Sequence, residues 1–82
     1  MPAAAITAIV VSYDSAEVLP ACLDALAGEG VPAIVVDNAS GDDSRAIAVT
    51  KGARVIANAR NEGYGRANNV GVAAAGTPYV LI

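Results

Sequence analysis

Two stretches of this 82-residue chain hold residue types that could meet a ligand. The first is Ala33 to Gly41, AIVVDNASG, where a β-branched apolar run stops on Asp37 and Asn38. A side-chain acceptor at the end of such a strand can take a hydrogen bond from a base N–H or a ribose hydroxyl. The same pair also suits a turn, because Asp and Asn side chains bond the backbone that follows them. The second stretch is Arg60 to Gly71, RNEGYGRANNVG. Gly63 and Gly65 permit close approach of backbone. A helix starting there would offer N–H groups to an anion, and Arg60 and Arg66 bracket the glycines where a diphosphate would lie. Asn68 and Asn69 are unexpected in a helix, since Asn competes with the backbone for hydrogen bonds. The plainer alternative is a flexible loop followed by a solvated helix face. The stretch is not a dinucleotide fingerprint, because Asn68 stands where the third glycine belongs and the third strand, not the first, precedes it. A smaller candidate is Ser12-Tyr13-Asp14, where Tyr13 could stack on a base or pack on the sheet edge.

Composition removes several other chemistries. The chain has no His and one Cys, Cys22. That excludes Ser-His triads, a disulfide framework and a cysteine-built zinc site. Residues 1–43 carry seven carboxylates and no Lys or Arg, whereas residues 44–82 carry all five basic residues and one acid, Glu62. The net charge of −3 argues against a nucleic-acid partner but leaves room for a local phosphate site in the second half. The longest apolar runs, Ala3 to Val11 and Val70 to Ala75, are too short to span a membrane.

The elements that must carry these residues alternate. The chain predicts strands at 5–12, 33–38, 54–57 and 79–82. Helices are expected over roughly 16–27, 42–50 and 64–75. Ser15 is the expected N-cap of the first helix, with Glu17 in its first turn, unless Pro20 delays the start. Ile47 and Val49 are the expected apolar side of the second. A β-α-β-α-β-α-β order with short links implies an α/β, Rossmann-like parallel sheet with helices on both faces. One domain over 1–82 is expected. A buried strand ending at Ile82 suggests the front part of a larger fold, and leaves the strip YVLI as an apolar edge.

Together IVVSYDS (9–15), IVVDNASGDDS (34–44), NEGYGRANNVG (61–71) and TPYVLI (77–82) resemble the N-terminal, nucleotide-binding part of a family 2 glycosyltransferase of the GT-A fold. The branch they resemble includes rhamnosyl- and galactofuranosyltransferases of bacterial cell-surface polysaccharides. The resemblance implies a partial GT-A sheet of strand order 3-2-1-4. It implies transfer of a sugar, with inversion, from a UDP or dTDP type donor to a carbohydrate or lipid-linked acceptor. By position, Ser12 and Tyr13 would hold the base, and Asp37 and Asn38 would bind the base imide and ribose. Asn61, Gly63, Arg66 and Asn69 would lie near the diphosphate or shape its loop. Relatives commonly carry Asp at the position of Asn38 and Asn at that of Asp14. They hold Mn²⁺ or Mg²⁺ through an Asp-x-Asp motif after the fourth strand, beyond Ile82, as is their catalytic base. No catalytic or metal-binding residue is therefore assigned in this stretch, which is expected to be inactive alone and to bind no metal. The implied location is cytoplasmic, with any membrane association carried by other regions. The alternative is a non-catalytic α/β module that binds a nucleotide or anion. A flavodoxin-like signalling domain is disfavoured because Asn58 to Asn61 offers no phosphoacceptor Asp.

Overall fold

A computed structural model describes residues 5–82, so the first four residues of the expected domain lie outside the described part. Four strands, β1 (Ile6–Ser12), β2 (Ala33–Asp37), β3 (Arg54–Ala57) and β4 (Tyr79–Leu81), form one sheet in the order β3-β2-β1-β4. All pairings are parallel, as the alternation of strands and helices requires. The register sets Ser12 beside Asp37 and Asp37 beside Ala57, so the polar ends of β1 and β2 come out level.

Alternate strand residues feed two cores. Val35 packs with Leu19 and Leu23 of α1 (Leu19–Gly28) and Ala48 of α2 (Ser44–Thr50). Ile9, Ile34 and Val36 pack with Ala67 of α3 (Tyr64–Ala74) on the opposite face. Helices therefore cover both faces, and β2, buried along nearly its whole length, is continuously apolar for that reason. Burying each such Val or Leu contributes roughly 1.5–3 kcal/mol. The α3 side has little room. A Cβ on Gly71 would collide with Ile9 Cγ2 and sit 3.1 Å from Val36 Cγ2, so glycine is what lets α3 lie on the sheet.

Helix boundaries depart from the expected ones where local chemistry competes with periodicity. α1 begins at Leu19, with Pro20 in its first turn, where the missing N–H costs nothing. Ser15 does not cap it. The Ser15 carbonyl accepts the N–H groups of Val18 and Leu19 in a preceding turn, and its hydroxyl donates to the Tyr13 carbonyl. Glu17 thus falls before the helix. α2 starts at Ser44 because Asp42 is spent on the turn, its carboxylate accepting from the Ser44 N–H. Ile47 packs against the Val35 core as expected, but Val49 is exposed, and Ser44 and Ala48, one turn apart, are the fully buried positions. β4 is an edge strand on which Tyr79 and Leu81 are exposed, as expected of the YVLI strip.

Candidate nucleotide site at the carboxyl edge of the sheet

Successive strand residues point to opposite faces, so the adjacent Asp37 and Asn38 build two different structures. Asp37 turns toward α1 and α2 and is fully buried. Its Oδ1 accepts the hydroxyls of Ser12 and Ser40, both at 2.6 Å. Its Oδ2 accepts the Ser40 N–H at 3.0 Å and lies 3.7 Å from Arg45 Nε. A carboxylate taken out of water needs this many partners. The network continues outward and ties the loop after β1 to the loop after β2. Ser40 Oγ accepts the Asp14 N–H, Asp14 Oδ1 accepts the Gly41 N–H at 2.7 Å, Ser44 Oγ accepts the Ser15 N–H, and Asp42 Oδ2 accepts the Ala16 N–H. The Ser44 hydroxyl holds the Asp42 carboxyl below the usual range against the effect of burial, with the Ala16 and Ser44 amides adding to it. Asp14 has φ +48°, a left-handed conformation that Asp tolerates. Ala39, at φ +60°, has no such excuse.

Asn38 turns toward α3 and is 2% exposed. Its Oδ1 accepts Asn58 Nδ2 at 2.8 Å and the Glu62 N–H at 3.5 Å, while its Nδ2 donates to the Gly63 carbonyl at 3.3 Å. Gly63 has φ +83°, which explains glycine there, and its N–H donates to Asn61 Oδ1 at 2.8 Å. α3 starts at the next residue with no side-chain cap. The N–H groups of Tyr64, Gly65 and Arg66 have no acceptor among the described residues. This end of the helix is therefore open to an anion.

The charges beside it are already engaged. Glu62 Oε1 lies 2.8 Å from Arg60 Nε, and Glu62 Oε2 lies 3.8 Å from Arg66 Nη1. Both arginines, expected to meet a diphosphate, meet Glu62 first. The hydrogen bond from Arg60, then the charge of Arg60, holds the Glu62 carboxyl below the usual range, and Arg66 adds to this. The same bond to Glu62 raises Arg60. Both guanidinium groups are largely exposed, so these contacts rearrange at little cost.

Eight residues were expected at the site. Ser12, Asp37 and Asn38 come together at the strand ends but are buried and hydrogen-bonded internally. Tyr13, beside them, is 53% exposed. Asn61, Gly63 and Arg66 form the exposed rim of the β3–α3 loop. Asn69 is exposed on α3; its neighbour Asn68 is the one that turns inward, 6% exposed, with its Oδ1 unpartnered among the described residues. Sequence reasoning missed Ser40, Arg45 and Asn58 as partners of Asp37 and Asn38. For Arg45 a signal existed, since a cation in the first turn of a helix opposes the helix dipole and needs another reason to be there. Among the described residues no three acid or Cys side chains gather into a metal site.

A family model for glycosyl transferase family 2 matches residues 7–82. The chain is 42% identical over 78 residues to uncharacterized glycosyltransferases of Mycobacterium bovis and Mycobacterium tuberculosis, covering 95% of this chain and 35% of those proteins. It thus spans about a third of the length of the curated relatives it matches. Among solved structures it resembles glucosyl-3-phosphoglycerate synthase from Mycobacterium tuberculosis in complex with UDP, with a TM-score of 0.76 at 24% identity, over 88% of this chain and 30% of that one. The same enzyme in complex with Mn²⁺, UDP and glucosyl-3-phosphoglycerate gives a TM-score of 0.77, again at 24% identity and with the same coverage. At this identity the likeness concerns the fold.

Proposed function

The chain belongs to glycosyl transferase family 2, and from that premise we propose that residues 1–82 are the donor-nucleotide-binding part of an inverting sugar transferase. The donor is a nucleoside-diphosphate sugar of the UDP or dTDP type, and the acceptor a carbohydrate or lipid-linked hydroxyl of a cell-surface polysaccharide. The observation that carries this reading is a convergence at one sheet edge. The exposed ring of Tyr13, the open N-terminus of α3 and the guanidinium of Arg66 all sit at the carboxyl ends of parallel strands, where open α/β sheets take their ligands.

In this reading the expected site residues divide by exposure. Tyr13 stacks on the base. Gly63 lets the chain turn so that the N–H groups of Tyr64, Gly65 and Arg66 reach a phosphate, while Asn61 fixes that turn and Arg66 supplies charge. Asn69 lies further along α3 and borders the diphosphate. Ser12, Asp37 and Asn38 form the floor on which the loops stand. Mn²⁺ or Mg²⁺ belongs to the reaction of the whole enzyme, where it would offset charge on the leaving diphosphate. Its ligands and the catalytic base are not among the residues described, so this part is inactive alone. No helix of the described residues is long and apolar enough to cross a membrane, and a cytoplasmic location fits a nucleotide-sugar donor.

Calorimetric titration with UDP, dTDP and uridine, with and without Mn²⁺, tests the assignment. The expected result is weak binding of the diphosphates that is insensitive to chelation and weakened by Tyr13→Ala and Arg66→Ala. Micromolar binding that vanishes on chelation would place a metal site within these residues and overturn the division of labour proposed. No binding of any nucleotide would remove the reading altogether.

A further inference from the structure

The Asn38 amide uses its two ends in opposite senses, and both uses fall on the two residues that precede α3. Oδ1 accepts from the Glu62 N–H, and from Asn58 across the loop; Nδ2 donates to the Gly63 carbonyl. That same carbonyl accepts the Ala67 N–H at 3.2 Å, the first hydrogen bond of the helix. Asn38 therefore holds the group that starts α3 while being 2% exposed itself. An ionised Asp could accept as Oδ1 does but could not donate, and it would set a carboxylate oxygen against the Gly63 carbonyl. The loop as built requires an amide.

We infer that Asn38 is a positioning residue: its amide fixes where the N-terminus of α3 and Arg66 stand relative to the strand ends, and so sets affinity for the donor's phosphates without touching the nucleoside. This rests on the nucleotide reading above and assigns Asn38 a different part in it from a contact to base or ribose. The difference is measurable, because uridine carries base and ribose without phosphate, and inorganic pyrophosphate carries phosphate alone.

The experiment compares Asn38→Asp and Asn58→Ala with the unaltered full-length chain, titrating each with uridine, UDP and pyrophosphate. Losing a buried hydrogen bond is worth about a factor of five to ten in an equilibrium. Asn38→Asp is expected to weaken UDP and pyrophosphate by about that factor while uridine changes less than about twofold. Asn58→Ala, which removes one bond and leaves Asn38 in place, should shift both in the same direction by less. Amide exchange should quicken at Glu62 and Ala67 in Asn38→Asp and stay unchanged at Ser40, whose N–H is held by Asp37, and at Gly41, whose N–H is held by Asp14. Equal losses for uridine and UDP would make Asn38 a nucleoside contact and overturn the inference. So would unchanged affinities with unchanged exchange. If Asn38→Asp does not fold, the same split between uridine and pyrophosphate in Asn58→Ala decides the matter. An unaltered chain that binds neither uridine nor UDP would remove the nucleotide reading, and the phosphate role of Asn38 would fall with it. Binding by the unaltered chain with the wrong split removes the inference alone.

Discussion

Asp37 and Asn38 are neighbours in the chain, yet the regions they organise are built on different terms. Around Asp37 each polar group is matched: two hydroxyls, one amide and one guanidinium meet a carboxylate with no exposure at all. Around Asn38 only the anchor is matched. Beyond it the chain runs to a helix end without a cap and to arginines on long, solvated arms that share one glutamate. The first region has nothing left to offer a ligand without breaking itself. The second has donors that no described residue takes up. A carboxylate at a strand end is thus not by itself a ligand contact. Which polar groups are already spent is the better guide.

The sharpest way to break this contrast is to remove the Asp37 carboxylate. Asp37→Ala strands the hydroxyls of Ser12 and Ser40 in a buried space and leaves Arg45 without its partner. A loss of roughly 3 kcal/mol is expected, since breaking a buried pair from one side leaves the rest unsatisfied. Urea unfolding followed by circular dichroism reads it as a lowered midpoint. For a chain of this length that is a large share of the total stability. A midpoint unchanged within error would mean that the network is not what joins the two loops.

A smaller loss is expected where the open region rests on the sheet. Gly71→Ala puts a methyl against Ile9 and Val36, so α3 must lift or the strands must shift. Overpacking of this kind costs about 1–3 kcal/mol, partly offset by the better helix propensity of Ala. The effect should carry to the ligand side, because α3 cannot move without moving Arg66. Loss of stability with pyrophosphate affinity intact would show that the helix end is placed by Asn38 alone.

Between the two regions sits Ala39, and here a gain is expected. Its φ of +60° suits glycine, and Ala39→Gly should raise stability by roughly 0.5–1 kcal/mol as relief of the left-handed strain outweighs the added chain entropy. Thermal unfolding measures it. A loss instead would mean that the Ala39 methyl packs more usefully than its backbone is strained.

The contrast was only partly legible in the sequence. The strands were, because short β-branched runs alternating with helical stretches imply a parallel sheet covered on both faces, and their order came from right-handed crossovers together with the family resemblance. So was the meeting of Ser12, Asp37 and Asn38 at one edge, which needs only that the strands be parallel and level. The partners of those residues were not. Asn58 meets Asn38 across 20 positions through the register of β2 with β3, which no local pattern encodes. The helices misled where phase decides. Val49 is the expected apolar position that lies outside, and the inward one is Ala48, one residue or about 100° away. Asp42 likewise shortened its helix by local chemistry that periodicity does not weigh, whereas the later start of the first helix around Pro20 was one of the expected alternatives.

The finest test bears on Glu62, the one acid in the open region. It competes with any incoming anion for Arg60 and Arg66, so Glu62→Gln should leave the unfolding midpoint unmoved and tighten sulfate or pyrophosphate by about two- to fivefold, the usual scale of one exposed charge near a helix end. The gain should shrink with added salt. Its pH dependence has a definite sign. Arg60 holds the Glu62 carboxyl below the usual glutamate range, so the acid is charged in the folded chain throughout the neutral and mildly acidic range. Its interaction with Arg60 is complete above the usual glutamate pKa and is lost only as the pH falls through the depressed folded value. Once protonated, Glu62 resembles Gln. With sulfate, whose charge holds through that range, the affinities of Glu62→Gln and the unaltered chain should differ at neutral pH and converge only in acid below the ordinary glutamate range. Convergence already at mildly acidic pH would mean that Arg60 does not hold Glu62 in solution. A Glu62→Gln chain that binds sulfate no better at any pH would mean that the anion does not use these arginines, and the open region would have to bind through its backbone alone.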